Sequence, residues 1–254
     1  MAPAQPTTQH GFSEVEWSAR VDLAACYRLI AHYGMADLVY NHATARIPGT
    51  EHFLINAYGL LYTEVTASSL ITIDIDGQVI HPGNTVLEVN RAGYVIHSAV
   101  HAARPDVGCV IHTHTRAGMA VSAMACGLLP LTQNAMRFHD IAYHDYEGPA
   151  VDLAERARLV NDLGSSNAMV LRNHGLLVAG ETVAQAFNSL YWLEMACRAQ
   201  VDAMAAGTPL AQPSLEVVAR TWKLYQPDVR RPFGEMEWPA MRRLADELDA
   251  RYRD

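Results

Sequence analysis

Two histidines stand two positions apart at the end of an apolar run, in the stretch VIHTHTRAG from Val110 to Gly118. The apolar run predicts a buried strand, and side chains two positions apart on a strand point to the same face. His112 and His114 can therefore share one cation, because neutral imidazoles are common metal ligands. Taken alone, the His-Thr-His pattern fits two satisfied core histidines equally well.

A second apolar run, VLRNHGLLVAG, supplies a third candidate ligand. His174 follows the run and is flanked by Asn173 and Gly175, two residue types that let the backbone turn and present a side chain into a cleft. Three histidines leave coordination positions open on Zn, Mn or Fe, as a catalytic metal requires. The sequence therefore predicts that His112, His114 and His174 bind one divalent metal ion.

These histidines need a scaffold, and the periodicity of the chain predicts an α/β one. A first amphipathic helix is expected over residues 13–34, followed by short extended segments with a hairpin at Asp76-Gly77. Further helices are expected from about Asn90 to Ala103 and in the long segment that begins at Thr182. Short strands joined by tight turns imply antiparallel pairing.

Composition narrows the classes of function. The 254 residues, half of them hydrophobic, suffice for one large domain. A net charge of −8 without a Lys/Arg-rich run argues against a nucleic-acid or anionic-membrane partner. No apolar run approaches the roughly 20 residues that span a bilayer, and the polar start MAPAQPTTQHGFSE lacks the apolar centre of a signal peptide. These features predict a cytoplasmic protein.

Longer stretches resemble the class II aldolase/adducin head family, and above all its adducin-like branch. The matching segments are YNHATARIPGTEHFLINAYGLLYTEVTASSL, HSAVHAARPDVGCVIHTHT, GLLP, AYHDYEG and LRNHGLLVAGE. The resemblance covers about residues 17–207 and implies an α/β, three-layer fold, with a central mainly antiparallel sheet flanked by helices. It also implies a cyclic homotetramer with sites at subunit boundaries, and it places the three histidines on the metal ligands of the family.

The resemblance suggests three segments: a flexible tail over residues 1–12, an aldolase/adducin-like domain over 13–207 and a C-terminal helical extension over 208–254. The helix from Thr182 carries large apolar residues on more than one face, among them Phe187, Leu190, Trp192 and Leu193. A lone amphipathic surface helix needs fewer, so part of this surface is expected between subunits of a homo-oligomer.

Departures from the sugar-phosphate aldolases of the family are informative. Gly93 occupies the position of their acid/base glutamate, and their phosphate-binding loop and serine pair align with Val39 to Asn41 and with Arg91-Ala92. The tyrosine that protonates the aldehyde oxygen is replaced around Gln133-Asn134. Proton handling and phosphate anchoring are thus altered together, which disfavours an aldol reaction on a phosphorylated sugar.

A metal without a carboxylate base suits decarboxylation, in which the leaving CO2 provides the electron pair and a cation stabilises the developing charge. The sequence therefore favours a metal-dependent carbon-carbon lyase acting on a small unphosphorylated carboxylate, with a hydroxylated aromatic acid or an oxo-acid as substrate. Three alternatives stay open: a non-haem iron oxygenase that cleaves a carbon-carbon bond, a residual aldolase, and a non-catalytic adducin-like binding module.

Other polar residues are candidates for the substrate site. Arg91 is a candidate bidentate partner for a carboxylate, although a solvent-facing arginine at a helix start would look the same. Asn41 is a candidate substrate-binding residue or a turn former, and His139 a candidate general acid. His97 and His101, at helical spacing, are expected in the core or on the helix surface rather than at a metal.

Overall fold

The structure is a computed structural model that describes residues 11–148 and 153–254, without the side chains of residues 91–93, 153 and 154. Its centre is one eight-stranded sheet in the order β4-β3-β2-β1-β5-β8-β7-β6. The strands are β1 His42–Arg46, β2 Phe53–Ile55, β3 Ile71–Ile73, β4 Val79–His81, β5 Cys109–Thr113, β6 Ala142–His144, β7 Ala168–Leu171 and β8 Gly175–Gly180. Only β6 and β7 pair in parallel among these strands.

Helices cover both faces of this sheet. They are α1 Glu14–His32, α2 Arg91–Ala103, α3 Arg116–Ser122, α4 Gln133–Met136, α5 Leu153–Leu163, α6 Val183–Ala205, α7 Leu215–Leu224 and α8 Trp238–Asp249, with a final 3-10 turn over Ala250–Arg253. The predicted α/β architecture, three layers around a central mainly antiparallel sheet flanked by helices, is confirmed. None of the described helices is long and apolar enough to cross a bilayer.

Strand alternation divides the core into two sides. Ile111 and Val178 point to the side filled by α1 and α6, whereas Val110, Leu177 and Met169 point to the side filled by α2 and α5. His112 follows Ile111 and so lies on the α2 side, as does Thr44 on the neighbouring strand. Among the candidate ligands, His112 therefore lies on the α2 face of β5, a strand in the middle of the sheet.

The C-terminal segment packs into the same core as the sheet. Trp238, Ala245 and Tyr252 are buried in the cluster that α1 and α6 form. The backbone of the final turn also accepts hydrogen bonds from the amides of Ala67 and Ser68. The last residues are thus hydrogen-bonded to the loop that precedes β3.

The structure adds to the sequence prediction for helix α6 and for two elements that the sequence did not predict. The apolar residues of α6 face inward: Phe187, Leu190 and Leu193 are at most 3% exposed within the single chain. Intrachain packing thus explains these three residues, whereas Trp192 is only partly buried, so the interface at α6 and the homo-oligomer both stay predictions. The sequence also left β6 and α7 without an assignment, since Ala142–His144 is a three-residue strand and Leu215–Leu224 lies in a proline-punctuated segment.

Candidate metal centre

The candidate centre lies where β5 ends between its two neighbours. His112 pairs with His42 of β1 on one side and with Leu177 of β8 on the other. His114 follows the last residue of β5, and His174 lies in the turn between β7 and β8. Antiparallel pairing of β5 with β8 thus brings the beginning of β8 to the end of β5.

The three predicted ligands converge. His112 Nε2 lies 2.9 Å from His114 Nε2, which lies 2.8 Å from His174 Nε2. One nitrogen from each ring falls within 4.8 Å of the others, and among the described residues these three form the one such group of potential metal ligands. The structure therefore supports the sequence prediction that a single cation could be shared by these rings.

The outer nitrogens of two rings indicate which tautomer each adopts when neutral. His112 Nδ1 lies 2.8 Å from the carbonyl oxygen of Leu176, and His114 Nδ1 lies 3.2 Å from Oδ2 of Asp37. Carbonyl and carboxylate oxygens accept, so each Nδ1 carries the hydrogen and donates it. In the neutral rings, Nε2 of both residues then carries a lone pair.

Two lone pairs 2.9 Å apart repel and cannot form a hydrogen bond with each other, whereas a cation between them would satisfy both. The donor set therefore fits a divalent metal ion. The partners on Nδ1 fix the orientation of each ring, as outer partners of metal-bound histidines commonly do.

Burial keeps the rings in the form that binds metal. Burial, followed by the charges of His174 and His114, holds the pKa of His112 well below its ordinary value. Burial and then His114 lower the pKa of His174 to about 4. Both rings are consequently neutral at pH 7, and no proton must be displaced before a cation binds.

The Asn-His-Gly sequence positions the third ligand for local reasons. Asn173 adopts a left-handed conformation with φ of 56°, which asparagine tolerates better than most residues. A Cβ at position 175 would lie 2.3 Å from the carbonyl oxygen of Thr113, so only glycine allows β8 to begin this close to β5. Together these two residues hold His174 beside His114.

Asn41 is buried immediately before β1, next to the strand position that pairs with His112. It is 7% exposed and has a left-handed φ of 65°. Neither its amide nitrogen nor its amide oxygen has a hydrogen-bond partner in the structure. Buried side-chain amides are nearly always paired, so this group is available to a ligand.

The structure does not bring His139 to the centre within one chain. Its exposed ring lies 6.4 Å from the ring of Trp222. The adjoining residues Phe138 and Asp140 line a cavity with Gly180, at the end of β8 opposite to His174. Arg91 is the first residue of α2, and its side chain lies outside the described part of the structure.

Several residues near the site were not predicted from the sequence. Asp37 lies in a loop 77 positions before His114, and no local pattern signals their contact. Tyr146 places its ring 6.1 Å from that of His174 and is 53% exposed.

His97 and His101 are buried as expected, and both bind the Thr44 hydroxyl at 2.8 Å instead of forming a second metal site.

Fold and site together define an α/β protein in which three histidines converge at one end of a mainly antiparallel sheet. The sequence profile of the class II aldolase and adducin N-terminal domain matches residues 21–201. The chain belongs to this family, which confirms the resemblance seen in the sequence.

Relatives of similar identity carry two kinds of name, aldolase and adducin. A Pseudomonas aeruginosa protein whose name places it among class 2 aldolases is 45% identical over 95% of this chain and 94% of its own length. Alpha-adducin of Mus musculus is 44% identical over 91% of this chain, which spans 33% of that longer protein.

Solved structures agree with this placement. An aldolase II superfamily protein from Pseudomonas syringae is 48% identical, with a TM-score of 0.89 over 95% of this chain and 97% of its own. L-fuculose 1-phosphate aldolase from Glaciozyma antarctica is 29% identical, with a TM-score of 0.84 over 99% and 97% of the two chains.

Proposed function

We propose that this protein is a metal-dependent carbon-carbon lyase acting on a small unphosphorylated carboxylate, with decarboxylation of a hydroxylated aromatic acid or an oxo-acid as its reaction. The observation that carries the proposal is the convergence of three imidazole nitrogens, with Nε2 of His114 lying 2.9 Å from Nε2 of His112 and 2.8 Å from Nε2 of His174. A Zn, Mn or Fe ion held there would supply Lewis-acid chemistry at a hydroxyl or carbonyl oxygen.

The residues of the chain have separate tasks in this proposal. Asn41, buried with both amide atoms unpartnered, orients the substrate by hydrogen bonds. Arg91 pairs with the substrate carboxylate from the start of α2. When the carbon-carbon bond breaks, its electron pair stays on the substrate carbon, CO2 leaves, and a proton must be delivered to that carbon.

His139 is the proposed proton donor, and its distance from the centre adds a condition. Its ring contacts Trp222 on the far side of the β7–β8 hairpin from His174. It could act only at the site of a neighbouring copy, in the homotetramer that the family resemblance suggests. Tyr146, whose exposed ring lies near His174, is the donor within the same chain if His139 has no such role.

Two of the alternatives are favoured by particular relatives. The overlap with L-fuculose 1-phosphate aldolase favours a residual aldol reaction. The 44% identity to alpha-adducin favours a binding module without catalysis. Position 93 weighs against the first, because glycine cannot move a proton where the sugar-phosphate aldolases carry glutamate. An intact histidine triad weighs against the second.

The test is a substrate panel assayed with protein of known metal content. Hydroxylated aromatic acids and oxo-acids are followed for CO2 release with and without oxygen, and phosphorylated ketoses and aldoses for cleavage. Release of CO2 without oxygen, abolished in His114→Ala, supports the proposal. Oxygen-dependent cleavage indicates an oxygenase, sugar-phosphate cleavage an aldolase, and inactivity of metal-loaded protein across the panel a binding module.

A further inference from the structure

A second cavity lies at the end of the β7–β8 hairpin opposite to the histidine triad. Its volume is about 150 Å³, enough for about five water molecules at roughly 30 Å³ each. Ala168 and Gly180 line it from the strand ends, and Gln185 and Ser189 line it from α6. The C-terminal extension forms another part of the wall through residues 225–227 and 232–233, and residues 137, 138, 140, 165–167 and 179 complete it. The cavity thus lies between the sheet domain and the extension.

Arg137 brings a positive charge to this cavity. Its Nη2 donates to Oδ1 of Asn188 at 2.9 Å, which uses one of five guanidinium N–H groups. Its guanidinium carbon lies 4.6 Å from the ring centroid of Tyr225 and 5.2 Å from that of Phe233. These rings fix the guanidinium in position but do not neutralise its charge.

No carboxylate among the described residues pairs with Arg137. The nearby charge of Glu237 is engaged elsewhere, because both of its oxygens accept hydrogen bonds from Arg231. Asp140 also lines the cavity, but its Oδ1 accepts the indole N–H of Trp222 and it makes no ion pair with Arg137. The guanidinium is therefore a partly buried cation that forms no ion pair with a carboxylate in the described part of the chain, although the charge of Glu237 acts on it from a distance.

Arg137 nevertheless keeps its charge. Burial lowers the pKa of Arg137 to about 10, so the group is protonated at pH 7. A partly desolvated cation is costly unless an anion compensates it. Ser189 provides a hydroxyl on the same cavity wall.

We propose that this cavity is a binding site for a small oxyanion, a carboxylate or phosphate of about five heavy atoms, held by the Arg137 guanidinium and the Ser189 hydroxyl. The site is independent of the proposed lyase reaction. Because part of its wall belongs to the C-terminal extension, a bound anion also strengthens the packing of that extension against the sheet domain.

The test measures anion binding by titration calorimetry and thermal unfolding. Phosphate and acetate are titrated separately into metal-loaded protein, against potassium chloride at equal ionic strength. The parent protein is expected to bind one of them saturably and to unfold at a higher temperature as its concentration rises. Arg137→Gln should weaken binding at least tenfold, whereas Arg243→Gln, which removes the same charge from an exposed helix position, should not.

Two further variants decide whether the anion sits in this cavity. Ser189→Met fills the space while keeping the guanidinium, so it should abolish binding even if Arg137→Gln fails to fold. His114→Ala should keep the binding at this cavity, because the triad lies at the other end of the hairpin, and should remove only an anion bound at the metal centre. The proposal is overturned if chloride reproduces the effect, if neither anion binds saturably, if Ser189→Met binds like the parent, or if His114→Ala abolishes binding.

Discussion

The Nε2 atoms of His114 and His174 lie 2.8 Å apart although 60 positions separate the two residues in the chain. Strand register produces this contact, because Thr113 of β5 pairs with Leu176 of β8 and so brings the turn before β8 to the end of β5. A slip of one residue in β5 would turn His112 and His114 to the opposite face. The geometry of the centre is therefore set by the packing of the sheet.

Loss of one triad ligand should remove the metal. His114→Ala leaves two histidines, so the protein purified without chelator is expected to contain far less than one metal ion per chain by elemental analysis. His139→Ala removes an exposed imidazole elsewhere and should retain the parent metal content. Equal metal content in His114→Ala and the parent would show that the ion is held by other residues.

The Asp37 carboxylate, which accepts a hydrogen bond from Nδ1 of His114, should increase metal affinity. Asp37→Asn exchanges an anion for a neutral amide at the oxygen that accepts from Nδ1, so metal affinity is expected to fall about 10- to 100-fold. Competition with a chromogenic chelator measures this change. Asp76→Asn is the matched control, because it removes the same charge from an exposed turn. If both variants bind metal as the parent does, Asp37 has no role in ligation.

The triad could be predicted because local signals and the family resemblance point to the same three histidines. Strand alternation relates His112 to His114, and the residues that flank His174 bear the marks of a tight turn. The contact of Asp37 with His114 could not be predicted, since it depends on the tertiary position of a loop 77 residues away in the chain. Periodicity also shows which faces of α6 are apolar but not whether they meet this chain or another one, and Phe187, Leu190 and Leu193 meet this chain.

The position of His139 shows a further limit of sequence reasoning. A histidine near an aligned catalytic segment looks like a general acid, yet its neighbours line the far end of the β7–β8 hairpin. The path of residues 123–141 between α3 and β6 determines where His139 lies. That segment contains one short helix, α4. Segments with little regular structure leave few periodic signals from which side-chain direction can be predicted.

Buried histidines next to the centre should make the protein sensitive to acid. Burial is the largest cause that lowers the pKa of His101 to about 3, so the unfolded chain takes up a proton below pH 6.5 that the folded chain does not. The contribution of this group to the free energy of unfolding is therefore fully present above pH 6.5. It should fall by about 1.4 kcal/mol per pH unit for this group as the pH decreases from 6.5 towards 3.

Urea unfolding between pH 7 and pH 5 measures this contribution. His101→Gln should show a shallower decline with acidification than the parent, even if its stability at pH 7 is lower. His32→Gln, at an exposed position of α1, should decline as the parent does. Parallel curves for His101→Gln and the parent would contradict the assignment.

The side-chain amide of Asn41 should matter for substrate binding and not for folding. Asn41→Gly keeps the left-handed backbone accessible and removes two unpartnered polar atoms, so its stability should be unchanged or higher. Its KM for the substrate should rise, since the amide no longer orients the ligand. Asn41→Ala should show the same kinetic defect and lose about 1–2 kcal/mol of stability, because alanine disfavours a φ of 65°. Parent-like kinetics in both variants would make Asn41 a turn former.

Arg91 should carry the charge recognition of an unphosphorylated carboxylate substrate. The family resemblance aligns Arg91 with a phosphate-binding serine of the sugar-phosphate aldolases and Gly93, two residues later, with their glutamate. Loss of a bidentate charged partner costs about 2–5 kcal/mol of binding or transition-state energy, so Arg91→Ala should lower kcat/KM on the acid tenfold or more. Arg243→Ala, at an exposed position of α8, should not.

The companion variant Gly93→Glu restores the aldolase residue and distinguishes the two chemistries. It should not improve turnover of the acid, because the added carboxylate would repel the substrate or occupy an open metal position. Both variants are compared on the carboxylate panel and on phosphorylated sugars. Efficient cleavage of a sugar phosphate by the parent, or an acid reaction unaffected by Arg91→Ala, would show that the site recognises its substrate in another way.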